Sequence, residues 1–536
     1  MLRLILLRLR RDRVILPIWI VSTGLLALAG ASGVGSEFAT DTDRASVLKL
    51  AIATPTLLAI RGVPNGSTLG SYVNFQVFCY LAIMAALMST FMVTRHSRAD
   101  EERGRMEMLA ATPVGRITPL LATFVVGVLA NAVLGVVVAL GFSAGGLPGP
   151  GAWVGGLASA AVGLAFVGLA AVVSQLAPTG RSANSISAAL VGVAFLLRAV
   201  GDVLGTPDLA TLTVVSAWPS WLSPIGWGQQ VFAFTRNDLS PLWLAGGLAA
   251  LSCGVALVMQ ARRDIGSSVL RERSGRAVGS AALRSNLALA WRLQWPSVVG
   301  WAIGGAALGS LGGLLAQRIA DTLDVSGSLH DILAGFVPGG KGSIVDLLVV
   351  AILGIGGVLA AAAGAQAIMR ARGEEADGRA ELVLAAPLGR VRWLLDYVIV
   401  AVASAVIVSL ATGLVASLSF LSADGGSDRF WSSLAAGLVQ VPAAIAFIAA
   451  TTLVFAVLPR ATVGVGWGLI AAGLAVGQFG GLLKLPDWVR NISPFTHTPA
   501  VPGPEPEWVG MWTILAVALA ILGLSVALVR RRQLTS

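Results

Sequence analysis

The chain is built from apolar runs of about twenty residues separated by short polar stretches. Twelve such runs lie at roughly 14–31, 73–95, 117–142, 152–177, 182–204, 240–261, 297–316, 345–369, 391–417, 432–458, 461–482 and 509–529. A helix of about 20 residues crosses the roughly 30 Å hydrocarbon layer of a bilayer. Barrel strands would give segments of about 10 residues with alternating polarity. The pattern therefore predicts an all-α polytopic membrane protein with twelve transmembrane helices. The intervening segments reach about 30–40 residues at most, too short for a catalytic domain with its own core.

The polar positions repeat. Residues 98–116 read RADEERGRMEMLAATPVGR and residues 372–390 read RGEEADGRAELVLAAPLGR. At an offset of 274, 9 of 19 positions are identical, among them Glu101/Glu375, Gly104/Gly378, Arg105/Arg379, Glu107/Glu381 and Pro113/Pro387. Arg10 and Trp19 match Arg292 and Trp301, the turns Ala177-Pro178 and Leu458-Pro459 match, and so do Ser223-Pro224 and Ser493-Pro494. The chain reads as two parallel six-helix repeats, residues 1–267 and 285–536, joined by an Arg-rich linker at 268–284. An even number of spans per repeat gives both the same orientation.

Charge sets the orientation. Of 37 Lys and Arg, 27 fall on the side that carries the N-terminus and 10 on the other. This positive-inside bias predicts that both termini are cytoplasmic. The net charge of +10 is thereby assigned to topology and to contact with membrane lipid. It is not a nucleic-acid partner code. The Leu- and Arg-rich residues 1–13 are expected along the cytoplasmic interface, leading into an uncleaved first span. The outer segments 205–239 and 483–508, rich in Trp and Pro, are expected to form short re-entrant or interfacial helices or structured loops.

Each charged motif reads as a helix of about 14 residues, with Glu101→Arg105 and Glu375→Arg379 as i,i+4 pairs. Pro113 and Pro387 end it, because the residue before proline avoids the α region. A topology loop needs only Arg. Glu, Gly, Arg, Glu and Pro at fixed spacing in both halves point to docking on a cytoplasmic partner.

An E-x-x-G-R-x-E-x-x-x-A-x-P-x-G-R element after the second helix of a six-helix unit resembles the coupling helices of ABC exporter permeases. The fused twelve-helix layout resembles the multidrug and polyketide-antibiotic (tetronasin-type) exporters of actinobacteria. The resemblance implies a type V ABC exporter-like fold with a cavity between the halves. It implies two copies of a separate ABC ATPase subunit, which would hold ATP and Mg, with no cofactor in this chain. It implies export of hydrophobic small molecules across the bacterial plasma membrane. The residues it marks for ATPase coupling are Glu101, Gly104, Arg105, Glu107, Glu375, Gly378, Arg379 and Glu381. In such permeases helix two faces the pathway, which makes Phe75, Phe78 and Met84 candidates for a substrate cavity. Glu102 and Arg103 stand where the second copy has Ala376 and Asp377, so the two docking sites need not be equivalent.

No G-x-x-x-x-G-K-[ST] occurs, so the ATPase belongs to another chain. The nearest approach, Gly339 to Ser343, lacks Ser or Thr directly after Lys341. Cys79, Cys253 and the scattered His96, His330 and His497 have no metal-ligand spacing. Asn131, Gln175, Asn184, Gln366, Gln440 and Gln478 read as polar contacts between spans. Arg198 and Asp202 are expected as an interfacial ion pair, and Asp346 and Asp396 within reach of water. An ion-coupled secondary transporter would be expected to carry mid-membrane carboxylates, and a membrane enzyme a cluster of His, Asp, Glu or Ser at that depth. A subunit that only transmits force would be expected to carry a large domain outside the membrane.

Overall fold

The computed structural model describes residues 1–38, 40–264, 266–269, 283–322, 344–421, 426–478, 485–501 and 507–532. The Gly339–Ser343 loop and most of the linker at 268–284 lie outside them. The chain divides into two compact units, Met1–Gly275 and Arg276–Ser536.

The first unit contains six long helices: α1 Ile15–Glu37, α2 Leu69–His96, α3 Thr118–Ala144, α4 Pro150–Leu176, α5 Gly180–Val203 and α6 Leu242–Arg262. The second contains α7 Asn286–Thr322, α8 Ile344–Ala376, α9 Arg390–Leu421, α10 (Gly426–Leu438, then Val441–Val457 after a turn), α11 Thr462–Gly473 and α12 Trp508–Arg531. Eleven helices among the described residues are long and apolar enough to cross a membrane. The twelfth expected span, 297–316, lies within α7. The protein is an all-α polytopic membrane protein; its one described sheet is a hairpin of two three-residue strands.

Small residues let the helices approach closely. A Cβ at Gly156 of α4 would collide with the Gly135 carbonyl of α3, so only glycine permits that crossing. Asn131 of α3 donates to Ser89 of α2 at 2.9 Å, and Gln366 of α8 accepts from Ser297 and Trp301 of α7, both at 2.7 Å. These are the expected polar contacts between spans. Leu2–Arg11 forms a helix before α1, with Leu2, Leu6 and Leu7 exposed and Leu4 and Arg8 buried. Arg8 anchors it by donating to the Pro119 carbonyl at 2.5 Å and to Thr123 of α3.

Opposite its charged motif the first unit holds two short helices that the sequence does not suggest, and beside them the structured segment at 205–239 that it does. Helices Asp41–Ala53 and Pro55–Arg61 lie between α1 and α2. The segment after α5 combines the hairpin, a 3-10 turn at Trp218–Leu222 and the helix Pro224–Gln229. Arg198 and Asp202 form the expected ion pair, 3.0 Å apart, with both side chains fully buried within the first unit. Asp202 also accepts from Ser216 at 2.6 Å and from Gln229 at 3.0 Å, and Arg198 donates to the Leu58 carbonyl at 3.2 Å and to that of Ala59. Helix Pro55–Arg61 and the segment after α5 supply these partners, which offset the cost of burying the two charges and leave only the Arg198 Nε of the pair without a hydrogen bond among the described residues. Asp396 is also buried, accepting from Asn286 at 2.7 Å instead of reaching water.

Candidate functional site

Both charged motifs follow the second long helix of their unit, and both are broken at glycine. In the first, α2 gives way to a short helix Arg98–Glu102, then Gly104 at φ +70°, then Arg105–Ala110. In the second, α8 itself runs to Ala376, Gly378 sits at φ +72°, and Arg379–Leu384 follows. The single helix of about 14 residues is therefore two pieces meeting at a left-handed residue, a conformation that costs other residues about 1 kcal/mol or more. Beyond each second piece, Val114 N–H donates to Thr112 O at 2.7 Å and Leu388 N–H to Ala386 O at 2.6 Å. The chain folds tightly around Pro113 and Pro387 and passes into α3 or α9.

The break changes the pairing. Arg105 does not meet Glu101; it binds Asp100 at 3.1 Å. Arg379 does not meet Glu375; it binds Glu374 at 2.7 Å and Asp377 at 2.6 Å. The hydrogen bond and charge of Glu374 hold the Arg379 guanidinium above its ordinary pKa. Asp100 and Glu374 occupy matching positions at the offset of 274, so the pairing is the same in both units.

Glu101 and Glu375 point inward, 7% and 3% exposed. Glu101 accepts from Arg98 at 2.8 Å and from Arg263, just beyond α6, at 2.5 Å. Glu375 accepts from Arg532, just beyond α12, and lies 3.8 Å from Arg372. The same two arginines reach the end of the fourth long helix of their unit: Arg263 donates to Gln175 at 3.0 Å, and Arg532 to the Phe455 carbonyl at 2.7 Å. The last motif residue closes the loop. Arg116 donates to the Arg263 carbonyl at 3.0 Å, and Arg390 to the Arg532 carbonyl at 2.6 Å. Each motif is thus clasped at both ends to the end of the last long helix.

The outer face is different. Arg105 and Arg379 are 43% and 48% exposed, and Glu107 and Glu381 are exposed beside them. Next to these charges stand Met108, 67% exposed, and Leu382, 78% exposed, again matched at 274. The Met108 and Leu382 positions escape an identity-based reading because their side chains differ; the signal was a large apolar residue at one place in two charged loops. The units diverge where the sequences do: Glu102 accepts from the Gly180 amide at the start of α5 at 3.0 Å, which Ala376 cannot do.

A third cluster lies beside the first motif. Asp12, fully buried, meets Arg95 at 2.5 Å and His96 at 2.7 Å. Burial pushes the Asp12 carboxyl up, but His96 and Arg95 together outweigh it and hold it below the usual carboxylate range. This cluster ties the N-terminal segment to the end of α2, and Arg11 does the same through Asp100 at 2.6 Å.

The substrate-cavity candidates pack inside the first unit. Phe75 joins Tyr72, Leu48 and Leu212, and Phe78 joins Val162, Phe166 and Ile225. Both line a cavity of about 10 Å³, room for roughly one water. Met84 is half-buried, its sulfur 3.9 Å from the Thr23 hydroxyl of α1.

Residues 283–530 match the family described as "Multidrug efflux system permease Rv1217c, C-terminal domain". The chain is also 30% identical, over 534 residues, to the "Multidrug efflux system permease protein Rv1217c" of Mycobacterium tuberculosis. That similarity spans 99% of this chain and 95% of the relative.

Proposed function

The chain belongs to the family of multidrug efflux permeases, and from that membership we propose that it is the membrane subunit of an ATP-driven exporter of hydrophobic compounds. Two copies of a separate ABC ATPase subunit, holding ATP and Mg, drive it from the side that carries the motifs. That side is the cytoplasmic face of the plasma membrane, with both termini on it, in keeping with the 27 to 10 division of basic residues.

One observation carries this reading. Each unit presents an arginine, a glutamate and a bare apolar side chain on a short helix outside its spans: Arg105, Glu107 and Met108 in one, Arg379, Glu381 and Leu382 in the other. An exposed apolar side chain beside charged ones has the make-up of an interface with an apolar centre and a polar rim. Glu101 and Glu375 serve as the buried root of the motif, and Gly104 and Gly378 as its bend. A push on the tip reaches the end of the last long helix through the Glu101–Arg263 and Glu375–Arg532 pairs. The motif then acts as a lever between a partner and the bundle.

The test is transport in proteoliposomes that hold the permease and its ATPase. Efflux of a hydrophobic dye should require ATP and survive a protonophore. Transport lost to the protonophore while ATP remains would favour an ion-coupled carrier instead.

A further inference from the structure

The second unit carries an apolar pocket at the end of α11 farthest from the motif. Its volume is about 270 Å³, and its walls include Phe447, Ala450, Ala472, Val476, Ile492 and Pro494. Ser493 is the one polar side chain in the lining, and its hydroxyl donates to the Gly473 carbonyl at 3.2 Å. Among the described residues no charge and no free donor line the space, so an occupant with unmet hydrogen bonds would lose solvation without compensation.

The pocket arises from small residues at positions that are larger in the first unit. Ser223 donates to the Ala194 carbonyl at 2.7 Å as Ser493 does to that of Gly473, which aligns α11 with α5. The Ala177-Pro178 and Leu458-Pro459 turns align α10 with α4. On these alignments Ala450 stands where the first unit has Leu169, Ala472 where it has Val193, and Val476 where it has Leu197. The replacements remove three, two and one side-chain carbons. In the first unit Leu169 packs on the cluster of Phe78, Phe166 and Ile225.

Two further features shape the walls. The helix passes into a π-turn at Leu474–Gln478, a distortion that bulges a helix and frequently marks a functional site. The Phe447 ring lies against bare Gly473, where any Cβ would collide with it, and stacks on Phe495 with centroids 5.1 Å apart. A fixed aromatic wall favours a flat, rigid guest. A cavity of about 150 Å³ admits benzene, so 270 Å³ suits a body of two fused rings. Ala472 and Ile492 are exposed, which leaves the pocket open at the surface of this unit.

We propose that this pocket binds the compact, uncharged ring system of a hydrophobic compound arriving from the lipid. That the compound is one carried by the permease rests on the exporter reading above; the binding itself does not.

The experiment is photolabelling of the purified chain in phosphatidylcholine nanodiscs, with a trifluoromethyl-diazirine derivative of naphthalene as probe and mass-spectrometric mapping of the adducts. Adducts should concentrate on residues 446–450, 472–476 and 489–494. Ala450→Leu, which installs the residue of the first unit, should cut labelling there about tenfold, with labelling of other exposed helix faces unchanged. Ala472→Val fills the mouth from another helix and should act in the same direction, which guards against a folding defect in either variant. Even labelling of all lipid-facing helices, or labelling indifferent to both variants, would overturn the proposal. So would adducts at these residues from an acyl-chain diazirine phosphatidylcholine but not from the naphthalene probe, since the occupant would then be lipid. The assay needs neither ATPase nor transport, so its failure leaves the exporter reading standing, and a failure of that reading leaves this result intact.

Discussion

Glu101 and Glu375 lie beside Arg105 and Arg379 in sequence, yet each is bound to an arginine 162 or 157 residues away. Periodicity on one helix suggested the local partner. The left-handed glycine between them removes that option, and the arginine beyond the last long helix takes its place. Asp100 and Glu374 then become the partners of Arg105 and Arg379, a match hidden because one is aspartate and the other glutamate. Removing one member of a buried pair leaves an uncompensated charge. Glu101→Gln should therefore destabilise the first unit by about 3 kcal/mol, measured as a fall in the melting temperature of the purified permease. A Glu101→Gln variant as stable as the parent would mean that the clasp contributes nothing.

At the scale of elements, the spans were legible because length and apolarity alone specify them, and all-α architecture follows. The recurrence of the charged motif was legible because it is rare enough to recognise twice. The bend inside the motif was not, since glycine within a charged helical pattern reads as tolerated until its φ is known. The short helices Asp41–Ala53 and Pro55–Arg61 were also missed, because their amphipathic signal is weak and the role of the second, supplying carbonyls to Arg198, is tertiary. Gly104 has no neighbouring atom closer than 4.0 Å to an added Cβ, and Gly378 has none within that distance. Substitution there tests backbone conformation alone. Gly104→Ala should cost about 1 kcal/mol, and Gly104→Asn less, because asparagine tolerates the left-handed region. The same order is expected at Gly378. Thermal unfolding of the four variants checks it; equal effects of Ala and Asn would argue against a required positive φ.

At the scale of the molecule, two units carry one device twice, with buried roots and exposed tips in matching places. The candidate coupling residues divide accordingly: Arg105, Glu107, Arg379 and Glu381 lie exposed, while Glu101 and Glu375 are structural. Their separation was not readable from the motif, because burial depends on where the last long helix returns. Loss of tip contacts should weaken the hold of a partner more than it disturbs the fold, since within their own unit the half-exposed Arg105 and Arg379 pair with acids of the motif itself, Asp100, Glu374 and Asp377. The measurement that bears most directly on the account is co-purification and ATP hydrolysis of the Arg105→Glu/Arg379→Glu double variant with its ATPase, at matched expression. The account predicts that the permease inserts and folds normally, retains less ATPase, and loses most substrate-stimulated hydrolysis, with each single variant intermediate. Full binding and full stimulation in the double variant would contradict it and leave the motifs as solvated loops.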